Sequence, residues 1–309
     1  MACINKKKKI IFLVGPTATG KTDCACELAK KINAEIISCD SMQVYKGMDI
    51  ITSKPAATLR EKIKHHLIDL IPATKEYNVS KYRRDALCKI KEILNRDKTP
   101  LFVGGTGLYM SILIDGIFKM GPSSKNIRMK LYKQAEELGN IYLYNKLKNI
   151  DPQSASKIHP NDTKRLVRAL EVFESTGKPI SYLQKQRKGL ADKYDVMIFC
   201  LNIRRQNLYN RIERRVDEMF KSGLVKEAKK LLKLKLSKTA SYAIGLKELK
   251  GYIDGEYDLD EAKRLMKRNT RAYAKRQLTW FRKDKRIKWL DINKDTPRKV
   301  AKRIWKELY

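Results

Sequence analysis

The sequence predicts an α/β fold, a doubly wound parallel sheet interrupted by a helical insertion. Three observations predict it. Short, continuous apolar runs alternate with amphipathic segments of helical period. The first apolar run opens directly onto a glycine-rich turn, and strand-like composition disappears from the middle of the chain and then returns.

Ile10–Val14 is apolar throughout and stops at Gly15-Pro16, the composition of a strand buried on both faces. Gly20–Ile32 reads as a helix, with Ala25, Leu28, Ala29 and Ile32 at i, i+3, i+4 and i+7. Ile36–Ile37 marks a second strand. Val79–Leu94 is an amphipathic helix ending in the turn-forming Asn95-Arg96-Asp97, and Leu101–Val103 is a short buried strand stopped by Gly104-Gly105. From about Gly121 to Asp192 only helical patterns rich in Lys, Leu and Tyr remain. Val196–Ile203 resumes the sheet, long basic helices follow, and Ile287–Leu290 reads as a last strand. The chain therefore divides into a core of residues 1–120 and 193–309 and an insertion of residues 121–192, with no internal repeat.

Composition bounds the function. In 309 residues, 42% hydrophobic, a substantial core can form. Lys and Arg number 68 against 34 Asp and Glu, a formal net charge of +34. So large an excess is either the solvated surface of a lysine-rich proteome or the mark of a polyanionic partner, nucleic acid above all. Cys3, Cys24, Cys26, Cys39, Cys88 and Cys200 form no CxxC pair, and His65, His66 and His159 do not follow a cysteine pair at zinc-finger spacing. A zinc site is not expected, and the cysteines are expected reduced in the cytoplasm. Lys6–Lys9 before Ile10–Val14 imitates a signal peptide, but the apolar run is too short. No segment has the length to cross a membrane, so no membrane partner is expected. Without an apolar heptad the chain is expected to be a monomer.

Residues Gly15, Pro16, Thr17, Ala18, Thr19, Gly20, Lys21 and Thr22 spell GPTATGKT, a match to G-x-x-x-x-G-K-[ST] between a strand and a helix. That context makes the sheet P-loop-type. The glycines let backbone N–H groups turn inward around phosphate oxygens, and the helix N-terminus adds positive potential. Lys21 supplies a point charge and Thr22 a hydroxyl for Mg²⁺. The motif does not say which phosphate compound binds. Asp40 stands at the carboxyl end of the second strand, the edge where such sheets bind ligands. It can take a proton from a nucleophile near the bound phosphate, or cap a turn with Ser41. His65 and His66 can face substrate or pack and bond to backbone, and no carboxylate partner is visible for either.

Beyond the P-loop, an ordered set of segments resembles the bacterial tRNA dimethylallyltransferase family. They are Asp40–Ile50 (DSMQVYKGMDI), His65–Asp69 (HHLID), Val103–Tyr109 (VGGTGLY), Lys157–Asp162 (KIHPND), Arg165–Pro179 (RLVRALEVFESTGKP), Ala243–Leu249 (AIGLKEL) and Ala274–Arg282 (AKRQLTWFR). The resemblance implies that the cradle holds dimethylallyl diphosphate, with Thr17, Thr19, Gly20, Lys21 and Thr22 at the diphosphate and Mg²⁺ positions. It implies that Asp40 is the general base toward the N6 amine of adenosine 37, and that Thr17 and Lys21 are catalytic with it. Asp40, Ser41, Met42 and Gln43 match a stretch at the target base. Thr106, Arg128, Lys164, Arg165 and Arg168 match positions toward the tRNA, and the insertion clasps the anticodon stem-loop. Leu208–Asp217 resembles the segment supplying a diphosphate-binding arginine, with Arg211 assigned and Arg215, alone or together with Arg211, the alternative. Two positions depart from the family pattern: Ile51 stands where glycine is usual, so the backbone there cannot depend on glycine-only angles, and Leu246 stands where an aromatic is common.

The basic segment Lys263–Lys288 supports an RNA partner separately, with 12 Lys/Arg against one acid, Asp284. Arg264, Arg268, Arg271 and Lys275 share one helix face, interleaved with Tyr273, Trp280 and Phe281, whose rings stack on bases or pack the helix on the sheet. The competing readings are an adenylate isopentenyltransferase, a P-loop small-molecule kinase, and a non-catalytic RNA-binding protein with a vestigial P-loop.

Overall fold

A computed structural model describes residues 7–118, 125–293 and 295–309. Cys3, Lys6 and the expected boundary at residues 120 and 121 lie outside the described residues. The chain separates into two compact units, one of residues 1–112 with 193–309 and one of Leu113–Asp192.

Among its described residues the first unit is built on eight strands: β1 (Lys9–Val14), β2 (Ala34–Ser38), β3 (Tyr45–Lys46), β4 (His65–His66), β5 (Ile71–Pro72), β6 (Thr99–Gly104), β7 (Asp195–Asn202) and β8 (Ile287–Asp291). Six form one sheet in the order β4-β2-β6-β1-β7-β8, and β3 and β5 form a separate pair. Every pairing in the six-stranded sheet is parallel. A parallel sheet needs crossover helices on its faces, which is why β1 and β6 read as unbroken apolar runs. Ile11, Leu13, Leu101 and Phe199 pack with Leu28 of the Lys21–Lys31 helix and with Val300 and Ile304 of the Pro297–Leu308 helix. Phe12 and Phe102, partners in register, stack at 4.6 Å.

This topology places the site. The chain leaves β1 toward β2 on one side and later returns to β7 on the other, so β1 ends at a switch point of the winding. The loops after β1, β2 and β6 all open on that carboxyl edge. Local chemistry sets the helix boundaries: the Asn78 side chain accepts from the N–H groups of Ser80 and Lys81 and starts the Val79–Leu94 helix where its apolar period begins.

The second unit is helical among its described residues. The Lys125–Ile150 segment breaks at Gly139, where φ is 78°, so it is two helices joined at a kink. Leu131, Leu143 and Leu147 pack with Leu166, Val167 and Leu170 of the Thr163–Thr176 helix, which Asp162 caps at its start.

The sheet also holds a buried charge. Glu35 on β2 is 3% exposed and accepts from His66 Nε2 at 2.7 Å, from Arg96 Nη2 at 2.7 Å and from Lys98 Nζ at 3.2 Å. Burial works to raise the Glu35 pKa, but the bonds from Arg96, His66 and Lys98 outweigh it and hold the carboxyl down at about 2. A carboxylate with a depressed folded pKa stabilises above its unfolded value and loses that stabilisation as pH falls toward the folded one. Glu35→Gln is expected to cost about 2 kcal/mol at pH 7, the scale of a lost charge-assisted bond. Denaturant unfolding should show the gap to wild type closing as pH falls from 4.5 toward 2. A gap that does not change with pH would show that the carboxylate charge is not what braces this end of β2.

Candidate active site

The carboxyl edge of the sheet opens into a cavity of about 730 Å³. Thr17, Ala18 and Gly20 line it from the loop after β1, and Lys21 and Thr22 from the first turn of the helix that follows; Asp40, Ser41, Met42 and Gln43 line it from the loop after β2. Arg211 and Arg215 enter from the Arg205–Lys221 helix, and Met266, Thr270, Tyr273 and Gln277 from the Leu259–Phe281 helix.

The P-loop is held from inside and outside. Gly20, at φ 77°, takes the left-handed turn that starts the following helix. Thr19 is buried, and its hydroxyl donates to the Pro16 carbonyl at 2.9 Å. Lys21 Nζ donates to the same carbonyl at 2.6 Å. Ala18 has φ 64°, a left-handed conformation that costs an L-residue about 1–2 kcal/mol and persists only where its surroundings enforce it. Gly15, Pro16 and Thr19 shape the loop without lining the cavity.

Arg215 is the cation that clasps this loop. Its Nη1 donates to Thr17 Oγ1 at 2.9 Å and its Nε to Ser53 Oγ at 3.0 Å. Arg211 lines the same cavity, but the bonds to the P-loop come from Arg215, one turn further along the same helix face. Ser53 is carried by a loop that Glu227 fixes, accepting from the N–H groups of Asp49, Ile50 and Ile51 at 3.1, 2.9 and 2.9 Å. Ile51 is not among the residues at positive φ, which is why a β-branched side chain is tolerated there. Burial, and then the Arg215 charge, bring the Lys21 pKa down to about 8 against the opposing pull of Asp40.

Asp40 Oδ1 accepts from Met42 N–H at 2.8 Å and Gln43 N–H at 3.4 Å, so the carboxylate caps its own turn and also lines the cavity. Thr106 stands behind this turn: it does not line the cavity, and its Oγ1 accepts from Ser41 N–H at 3.1 Å. His66 is bound to Glu35 and buried, and burial lowers its pKa against the opposing pull of Glu35. His65 lines the cavity but donates from Nδ1 to the Ile63 carbonyl, and no carboxylate pairs with it among the described residues. No group of three or more His, Cys, Asp or Glu among the described residues could hold a metal ion.

The remaining sequence-predicted residues belong to the helical unit. There Glu171, fully buried, accepts from Arg128 at 2.9 Å and from Arg168 at 3.0 Å; Arg165 pairs with Asp162 at 3.4 Å and Lys164 is exposed. In the first unit the basic face of the Leu259–Phe281 helix is partly engaged, Arg264 by Glu261 and Arg271 by Glu213 at 2.6 Å, while Arg268 and Lys275 are exposed. Phe281 is core; Trp280 is 37% exposed and lies against Gly107. Gln277 was legible only as part of a resembling segment, and Tyr273 only as one of the aromatics interleaved in the basic helix. Their signal is the stripe Met266, Thr270, Tyr273, Gln277, displaced from the basic stripe around the same helix.

The sequence model described as "IPP transferase" matches residues 43–284, and one described as "Isopentenyl transferase" matches residues 8–70. The chain belongs to the IPP transferase family. IPP transferase relatives include the tRNA dimethylallyltransferase of Halothermothrix orenii, 47% identical with 96% of this chain and 92% of that protein covered. That of Carboxydothermus hydrogenoformans is also 47% identical, with 96% of each covered. Among solved structures, the tRNA isopentenylpyrophosphate transferase of Bacillus halodurans is 40% identical at a TM-score of 0.72, covering 98% of this chain and 96% of its own. A eukaryotic dimethylallyltransferase acting on tRNA is 32% identical at a TM-score of 0.79, covering 93% and 74%. No helix among the described residues is long and apolar enough to cross a membrane.

The electrostatics of this IPP transferase site are testable directly. Arg215→Ala removes a repelling cation, so the Lys21 pKa should rise from about 8 toward 10.5, its ordinary value. The pH profile of Lys21 acylation by an amine reagent, read by peptide mass spectrometry, should move to higher pH. An unmoved midpoint would mean that burial alone sets the Lys21 pKa.

Proposed function

We propose that this chain is a tRNA dimethylallyltransferase that moves the dimethylallyl group from dimethylallyl diphosphate to N6 of adenosine 37, beside the anticodon. The observation that carries the reading is the convergence of Lys21, Arg215 and Asp40 on one cavity in a chain 47% identical, over nearly its full length, to proteins of that name. Two cations suit a diphosphate, and a carboxylate in the same cavity suits an attacking amine.

In the reaction the C–N bond to adenine N6 forms as the allylic C–O bond breaks. The electron pair of that bond leaves on the diphosphate, and the N6 proton passes to Asp40. The turn that fixes Asp40 Oδ1 leaves the carboxylate group rigid toward the amine. P-loop N–H groups, Lys21 and Arg215 stabilise the charge that grows on the leaving diphosphate, an interaction stronger in the transition state than before it. Thr17, bonded to Arg215, keeps that guanidinium on the leaving-group side. Thr22 lines the cavity at the first turn of its helix. It would hold Mg²⁺ together with the donor's own phosphate oxygens, the ligand set this hard cation favours. The ion would add positive charge against the departing diphosphate.

Adenosine 37 must leave its stack to reach a cavity of this kind. Ser41, Met42 and Gln43 would border it there. The exposed Lys164 and the paired Arg128, Arg165 and Arg168 give the helical unit a basic surface suited to the phosphates of an anticodon stem-loop.

Incubation with labelled dimethylallyl diphosphate and tRNA should place label in tRNA without ATP. Label in AMP would favour an adenylate isopentenyltransferase, and ATP-dependent phosphorylation of a small acceptor without prenyl transfer would favour a kinase. Asp40→Asn should bind tRNA nearly as well as wild type and turn over roughly a hundredfold or more slowly, the scale of a general base. Near-normal single-turnover rates in that variant would remove Asp40 from the proton transfer.

A further inference from the structure

We infer that Gln277 is a positioning residue that clamps the P-loop in its phosphate-binding shape from the Leu259–Phe281 helix, with Gly105 as its second anchor. The inference rests on the diphosphate-binding reading given above.

The side chain is 6% exposed, and its amide is satisfied at both ends by backbone. Oε1 accepts from Thr17 N–H at 2.9 Å, and Nε2 donates to the Gly105 carbonyl at 2.9 Å. Neither backbone group belongs to the strand ladder. Thr17 follows β1 and Gly105 follows β6, so one carboxamide ties together two loops on neighbouring strands. Gly105 is shaped to admit this amide: a Cβ there would stand 2.1 Å from Gln277 Nε2.

The clamp acts next to a strained point. Thr17 precedes Ala18, whose φ of 64° opposes the loop conformation. The bonds to Thr17, from Gln277 on its N–H and Arg215 on its hydroxyl, fix the residue where the chain enters that turn. Without the Gln277 bond, Thr17 N–H loses its partner and the loop gains freedom to relax. Phosphate recognition by backbone N–H groups depends on their fixed directions, so freedom in the loop reads out as lost anion affinity.

The same helix face reaches the other half of the site. Tyr273, one turn before Gln277, lines the cavity beside Asp40 and Ser41 of the loop after β2. Thr106 holds Ser41 N–H, beside Asp40. One helical turn therefore carries both the clamp on the donor loop and a wall of the cavity that Asp40 lines.

The test is calorimetric binding of magnesium diphosphate to the full chain, with thermal unfolding measured alongside. Gln277→Met keeps the length of the side chain and removes both bonds. Gly105→Ala leaves Gln277 chemically intact and displaces it. Each is expected to weaken diphosphate binding by roughly tenfold, about 1.4 kcal/mol. The double variant should be no weaker than the worse single one, since both break the same link. Additive losses, or variants that lower the melting temperature while binding diphosphate like wild type, would overturn the clamp alone. Wild-type protein that binds no diphosphate would overturn the donor reading and the clamp with it.

Discussion

The site depends on holding two half-buried cations against each other. Lys21 and Arg215 face one cavity, and their mutual repulsion is part of why Lys21 sits near pKa 8. Burial opposes the charge on both, and the Asp40 carboxylate favours it on both. Such an arrangement is stable only if the surrounding structure fixes each cation. A line of support does this for Arg215: Glu227 holds the Asp49–Ile51 backbone, that loop carries Ser53, and Ser53 and Thr17 accept from the guanidinium. A multiply charged anion entering between the cations would turn the repulsion into attraction with little movement, which is the sense in which the site is preorganised.

That support crosses the chain at long range. The P-loop near residue 17 is tied to residues 215 and 277, and the Asp40 turn to Thr106. The cofactor-like cradle is local in sequence, but its rigidity comes from helices encoded after the insertion. This division explains why a P-loop alone says so little about substrate: the same eight residues can serve any phosphate, and the walls of the cavity decide which.

What was legible in the sequence follows from the range of the interactions involved. The Val79–Leu94 helix was readable at both ends because its cap, Asn78, and its apolar period are local. β2 was readable only at Ile36–Ile37, because Glu35 is a charge buried by partners on β4 and beyond β2 that no pattern shows. The two-residue strand His65–His66 has no periodicity to detect, and a lone Gly139 does not announce a kink. At the site, GPTATGKT could be read with its strand and helix. The choice between Arg211 and Arg215 could not, since a spacing of four puts both on one face. Gln277 escaped a role because its partners lie 260 and 172 residues away.

The place of the insertion has a consequence for how the protein is made. β1 lies between β6 and β7, and the whole Leu113–Asp192 segment is translated between those two neighbours. At 5–20 residues per second, β1 therefore waits on the order of ten seconds with one hydrogen-bonding edge open on the nascent chain. Its Ile10–Val14 run is the kind of apolar edge that pairs with whatever strand it meets. The interval in which the emerging polypeptide most needs shielding on the ribosome is thus set by the length of a segment whose described residues contribute no strand to the sheet.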